Sequence, residues 1–182
     1  MNFPRTLFPA AICLTVLTGV VYSSPQPQRQ ADVVFIPTPD EVVEAMLDLA
    51  KVKSTDVVYD LGSGDGKIPI MAAKKYGARG VGIEINRVLI QDANENARQA
   101  GVTHLVKFIE GDLFEADIRE ATVVTLFLLE SLNARLRPKL TSQLRPGSRI
   151  VSHEFGIGDW RPEKSIEVVR RMVHLWTVPR PD

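Results

Sequence analysis

The 182-residue chain has one cysteine, Cys13, and it sits in an apolar leader. A mature chain without that leader has no disulfide framework and no thiolate metal site. Charge of one sign is also missing: 22 Lys and Arg stand against 22 Asp and Glu. Binding to a phosphate backbone normally shows as a basic excess or stripe, so nucleic acid is not an expected partner. The three histidines, His104, His153 and His174, share no metal-ligand spacing with each other or with acids, and no metal is expected. There is no internal repeat, and low complexity is confined to a Ser/Pro/Gln stretch at 23–30.

A further absence is more telling. Residues 57–70 read VVYDLGSGDGKIPI. An apolar, β-branched run that breaks into glycines and resumes a helical pattern is a strand feeding a tight turn into a helix, where α/β proteins seat a nucleotide. The glycines are Gly62, Gly64 and Gly66, and Lys67 stands where a dinucleotide fingerprint has its third glycine. Asp60 closes the strand and Asp65 lies within the turn, so a pyrophosphate would meet two like charges. An NAD-dependent oxidoreductase is disfavoured on both grounds. S-adenosylmethionine carries a sulfonium and an ammonium and no phosphate, and it suits close backbone approach beside carboxylates.

Two more acids fall at strand ends. Residues 78–86 form a short second strand ending in Glu84, placed as a ribose-binding carboxylate is placed. Residues 105–110 form a third strand running into Gly111, Asp112 and Leu113; Asp112 can accept from an adenine amino group while Leu113 packs on the ring. Acids are common in turns, but three at three successive strand ends make a pattern.

On these residues the chain from 35 onward resembles the class I S-adenosylmethionine-dependent methyltransferases. Residues 60–66 look like their first motif, 82–86 like their second and 110–113 like their third. The closer resemblance is to the lysine methyltransferases of the ATP synthase c-subunit and the adenine nucleotide translocase, with their bacterial relatives. It is carried by Phe35-Ile36-Pro37-Thr38-Pro39, Leu126-Phe127-Leu128-Leu129 and Trp160-Arg161-Pro162. The resemblance implies an α/β, Rossmann-like fold with a mostly parallel doubly wound sheet and an antiparallel C-terminal edge. It implies S-adenosylmethionine as cofactor, bound through Asp60, Gly62, Ser63, Gly64, Gly66, Glu84, Ile85, Asp112 and Leu113. It implies a protein lysine as acceptor; a small-molecule N- or O-methyltransferase and a non-catalytic adenosyl-nucleotide binding module are the alternatives.

Methyl transfer asks the protein to align donor and acceptor and exclude water, so few side chains are obligatory. Ligands of open α/β sheets sit outside the carboxyl ends of strands, which nominates the segments after the fourth strand (123–128) and the fifth (148–155). Pro37, Thr38, Glu130, Phe155 and Trp160 are the candidates for an acceptor channel, the two aromatics through cation-π contact with an ammonium. Glu130 equally reads as a solvated acid at a helix start, and His153 as a structural histidine. Thr38-Pro39-Asp40-Glu41 reads as a capping box, opening a helix expected to lie across the cofactor. Helices are expected at 68–76, 87–100 and 133–144, and further short strands at 165–170 and 173–178.

The leader divides the chain into 1–23, a linker at 24–34 and a catalytic unit at 35–182. One side-chain positive charge, an apolar run at 7–21 and a polar, proline-rich continuation outline a signal peptide, with Val21 and Ser23 as small residues before a cut. An uncleaved anchor and a misassigned start codon are the other readings. The expectation is export or membrane anchoring through this segment alone, with a cytoplasmic protein if the start is misassigned.

Overall fold

The computed structural model describes residues 35–180; the proposed leader, the linker and Cys13 lie outside them. The chain runs α1 (Asp40–Leu49), β1 (Val57–Leu61), α2 (Lys67–Tyr76), β2 (Arg79–Glu84), α3 (Arg87–Gln99), β3 (Val106–Glu110), β4 (Val123–Leu126), α4 (Glu130–Gln143), β5 (Arg149–His153), β6 (Lys164–Val168) and β7 (Arg171–Thr177). The seven strands form one sheet in the order β3-β2-β1-β4-β5-β7-β6. Strand β1 pairs in parallel with both β2 and β4, and the winding reverses between them. That reversal opens a crevice at the carboxyl ends of β1 and β4. Only β7 runs against the others, inserted between β5 and β6, so the antiparallel strand stands one place inside the sheet edge.

Every residue of β1 and β4 is buried, as expected for strands covered on both faces. Alternation splits them: Val57, Tyr59, Leu61, Val124 and Leu126 join Leu136 and Leu140 of α4, whereas Val58 and Val123 join α1 and α2. In α1, Val42, Val43, Met46 and Leu47 repeat at helical spacing and are fully buried. Each contributes roughly 1.5–3 kcal/mol of burial. This corrects the expectation that α1 lies across the cofactor. Its apolar face must be covered, so α1 packs on β5 and β7, and only the segment before it reaches the crevice.

The capping box is corrected too. Pro39 is the N-cap and makes no side-chain cap bond. Its carbonyl accepts from Val42 N and Val43 N, and Thr38 turns inward, its Oγ1 3.4 Å from His153 Nδ1. Elsewhere local signals hold: Asn86 Oδ1 accepts from Val88 N at 2.9 Å to start α3, and Gly77, at φ 67°, ends α2. Helix α4 begins at Glu130, ahead of the expected start, because the Leu129 carbonyl takes the first amide bonds and no side chain marks the cap. The β6–β7 turn is tighter than expected. Val169 and Arg170 sit at φ 51° and 61°, a two-residue hairpin loop without the glycine or asparagine that normally announces one.

Candidate active site

A cleft of about 1190 Å³ opens where the sheet reverses. Its walls come from the glycine turn after β1, the ends of β2 and β3, the β4–α4 junction, the end of β5 and residues 35–38. Asp60, Gly62, Ser63, Glu84, Ile85, Asp112 and Leu113 all line it, so the structure brings together seven of the nine expected cofactor residues.

Glu84 shows how the backbone builds the site. One carboxylate oxygen accepts from Gly64 N at 3.0 Å and the other from Asn86 N at 2.8 Å. The acid is thereby fixed between the glycine turn and the start of α3, its rotamer set before any ligand arrives. Asp60 is fully buried and takes a bond from Thr125 Oγ1 at 2.7 Å. Burial, with the nearby negative charges of Glu84 and Asp65, pushes its carboxyl up to about 7. Such a group is readied to ionise when a cation enters. The Ser63 hydroxyl is buried in the wall with no hydrogen-bond partner in the protein. The hydroxyl lies over Gly82 of β2, where a side chain at Gly82 would collide with it. The acidic wall of Asp60, Glu84 and Asp112 fits a cationic adenosyl donor.

Gly64 and Gly66 belong to the same turn but are off the cleft wall. A Cβ on Gly64 would stand 2.1 Å from the Phe35 ring, and one on Gly66 2.5 Å from Phe108 and 2.9 Å from Ala93. Both have positive φ. At both positions protein atoms make a close approach that a side chain would block.

The acceptor side departs further from expectation. Thr38 and Phe155 line the cleft. Pro37 is exposed and Glu130 is an exposed residue of the first turn of α4, both off the cleft wall. Trp160 is elsewhere: its ring leans on Trp176 at 6.4 Å, and its carbonyl accepts from Trp176 Nε1 at 2.8 Å. The interior position of β7 puts Trp176 in the core, and Trp160 covers it. What the sequence missed is Phe127, Glu154 and Arg171, which line the cleft beside Phe155. The Phe127 ring stacks on His153 at 3.9 Å and faces Phe155 at 6.4 Å. His153 is buried, and burial lowers its pKa to about 4, so it is neutral at physiological pH. Glu154 holds φ 69°, uncommon outside glycine, with its backbone N donating to Met172 O at 2.7 Å. Its carboxylate accepts from Met172 N at 3.3 Å, so the side chain is tied to β7 where the strand borders the cleft. Strand-end position was the available signal for these residues, but it does not say which neighbours face inward.

With this geometry in place, the comparisons are specific. Residues 60–164 match the model of the ANTKMT methyltransferase domain. The chain belongs to this family. A methyltransferase is also what the most similar proteins are named. A protein-lysine N-methyltransferase of Saccharolobus islandicus is 50% identical over 79% of this chain and 92% of its own length. The mouse adenine nucleotide translocase lysine N-methyltransferase is 36% identical over 66% of this chain, and only 52% of that longer protein is covered. Among solved structures, an RNA methyltransferase from Salinibacter ruber in complex with S-adenosyl-L-homocysteine is 56% identical, with TM-score 0.79 over 81% of this chain and 96% of that one. This family member is a methyltransferase that uses S-adenosylmethionine, and its fold is the Rossmann-like one of those neighbours.

Proposed function

We propose that the chain methylates the ε-amine of a lysine in a protein. S-adenosylmethionine, when bound, supplies an electrophilic methyl group. Glu84, Asp112 and the Asp60 end of β1 hold the nucleoside and its charges, and the Ser63 hydroxyl offers a further bond. Phe127, Phe155 and Leu129 line the cleft side left for the acceptor, with Glu154 and Arg171 at its edge. An apolar, aromatic passage accepts a lysine stem and favours loss of the ammonium proton by desolvation, which the attacking nitrogen needs. The observation that carries the reading is the Saccharolobus protein-lysine N-methyltransferase, similar over nearly all of its length.

The Salinibacter relative's name raises RNA as a second reading. The bases that line the cleft argue against a phosphate track. Arg135 lies over the Phe114 ring at 3.7 Å, Lys67 pairs with Asp40 at 2.8 Å, and Arg171 stands 4.0 Å from Glu154. Contact with a membrane rests in this reading on residues 1–23, because no helix among the described residues is long and apolar enough to cross one. The test is to incubate the full-length chain with labelled donor and a cell lysate, with and without nuclease, and to locate the label by mass spectrometry. Methyl-lysine in protein, resistant to nuclease, is the expected result; label in RNA or only in small amines overturns it.

A further inference from the structure

Lys67 replaces the third glycine of a dinucleotide fingerprint, and its side chain reaches past the glycine turn. Its Nζ donates to the Thr38 carbonyl at 2.9 Å and pairs with Asp40 at 2.8 Å. The pair with Asp40 is exposed and contributes little alone. The bond to Thr38 is part-buried and ties down a backbone segment. That segment, residues 35–38, forms part of the cleft wall through Phe35, Ile36 and Thr38. The Phe35 ring lies against the α-carbon of Gly64, where a side chain would collide with it. Thr38 Oγ1 makes a second tie, to His153 Nδ1 across the sheet. Phe35 and Ile36 remain 40% and 63% exposed, so apolar burial holds the segment only in part.

We propose that Lys67 is a positioning residue that latches residues 35–38 as a strap across the donor cleft. The strap then slows escape of donor and product and keeps water from the glycine-turn side. The inference is independent of the acceptor's identity and rests on donor binding alone.

Two rival roles for Lys67 make different predictions. A bare ammonium beside the amino-acid ammonium that donor and product share repels it, so removing the charge would tighten binding of either. A direct bond from Lys67 to the donor's carboxylate would make its loss add to any loss from the strap. A latch predicts weaker binding and no additivity.

The experiment uses the full-length chain with S-adenosylhomocysteine as calorimetric probe, on Lys67→Met, Lys67→Arg, Phe35→Ala and the Lys67→Met/Phe35→Ala double variant. Lys67→Met and Phe35→Ala should each weaken binding by about tenfold, and the double variant should be no weaker than either. Lys67→Arg should restore most of the affinity, because a guanidinium can reach both partners. Without ligand, the Ile36 and Thr38 amides should exchange faster in Lys67→Met, while melting shifts by less than about 2 °C. Phe35 is on the surface, so its variant keeps the test open if Lys67→Met folds poorly. Additive losses, unchanged or tighter product binding in Lys67→Met, or no recovery with arginine would each overturn the latch.

Discussion

The two halves of the cleft are built differently. On the donor side, Asp60 one residue before the end of β1, Glu84 at the end of β2 and Asp112 two residues beyond β3 reach the same wall with only short local turns between strand and site. On the acceptor side, the wall is assembled from residues 35–38, the β4–α4 junction, the end of β5 and the start of β7. One half is a repeated local device, and the other is a convergence of segments distant in sequence. A motif can therefore specify the first, whereas the second depends on how the sheet is closed.

The largest effect that sharpens this contrast is expected at Glu84. Glu84→Ala removes an acceptor from the ligand and also from Gly64 N and Asn86 N. Donor affinity should fall by about 2–3 kcal/mol, roughly thirty- to 150-fold. A change of a few tenths in calorimetry would mean that the local device is not what holds the donor.

Next is Trp160, which tests whether the acceptor half is correctly drawn. Trp160→Ala uncovers Trp176 and should cost about 2 kcal/mol of stability, with melting lowered by several degrees. Turnover measured well below the melting temperature should change little. A tenfold loss of turnover at unchanged stability would return Trp160 to the channel.

Asp60 and His153, one in each half, give opposite pH dependences. Asp60 titrates near 7 when folded against 3.8 as an ordinary carboxyl, so the folded state holds the extra proton and this group's stabilisation is lost as pH rises toward 7. His153 titrates near 4 against 6.5, so its neutral form favours the folded state above 6.5 and stability falls as pH drops through that window. Between the two limits the slopes oppose each other. In Asp60→Asn the His153 slope should emerge alone, with melting temperature rising as pH increases from 4 to 6.5. A variant with the same pH profile as the parent would show that Asp60 is not raised.

The smallest effect concerns the hairpin beside the acceptor side. Val169 and Arg170 hold left-handed backbone, which L-residues other than Gly and Asn reach at a cost of roughly 1–2 kcal/mol each. Val169→Asn with Arg170→Gly should raise the melting temperature by a few degrees and leave donor affinity unchanged. Lower stability would mean that the turn geometry is wrong.

These differences mark what could be read from residues alone. The glycine turn, the Asn86 cap, the Gly77 stop and the buried parallel strands follow from short-range sterics and hydrogen bonding, and each carries its own signature. The acid at the end of each donor-side strand follows from position in a repeated unit. Trp160 packs on Trp176, and in sequence an aromatic after a strand looks the same whether it walls a channel or covers a core. Phe127 stood within an apolar run whose burial was legible, while the side of the wall it faces was not. Glu154 combines a positive φ that no propensity announces with a carboxylate tied to Met172 N of β7, a partner distant in sequence.

The sequence by itself determined the fold class and the acids that meet at the cleft, and it disfavoured a dinucleotide, because these rest on periodicity, glycine and charge within a few residues. Tertiary structure alone decided that α1 is a layer and its leading segment a strap, that Lys67 reaches the Thr38 carbonyl, and that Trp160 belongs to the core. Those outcomes turn on which distant surface wins each apolar or polar group, a competition settled only when β7 inserts between β5 and β6 and every face has found its cover.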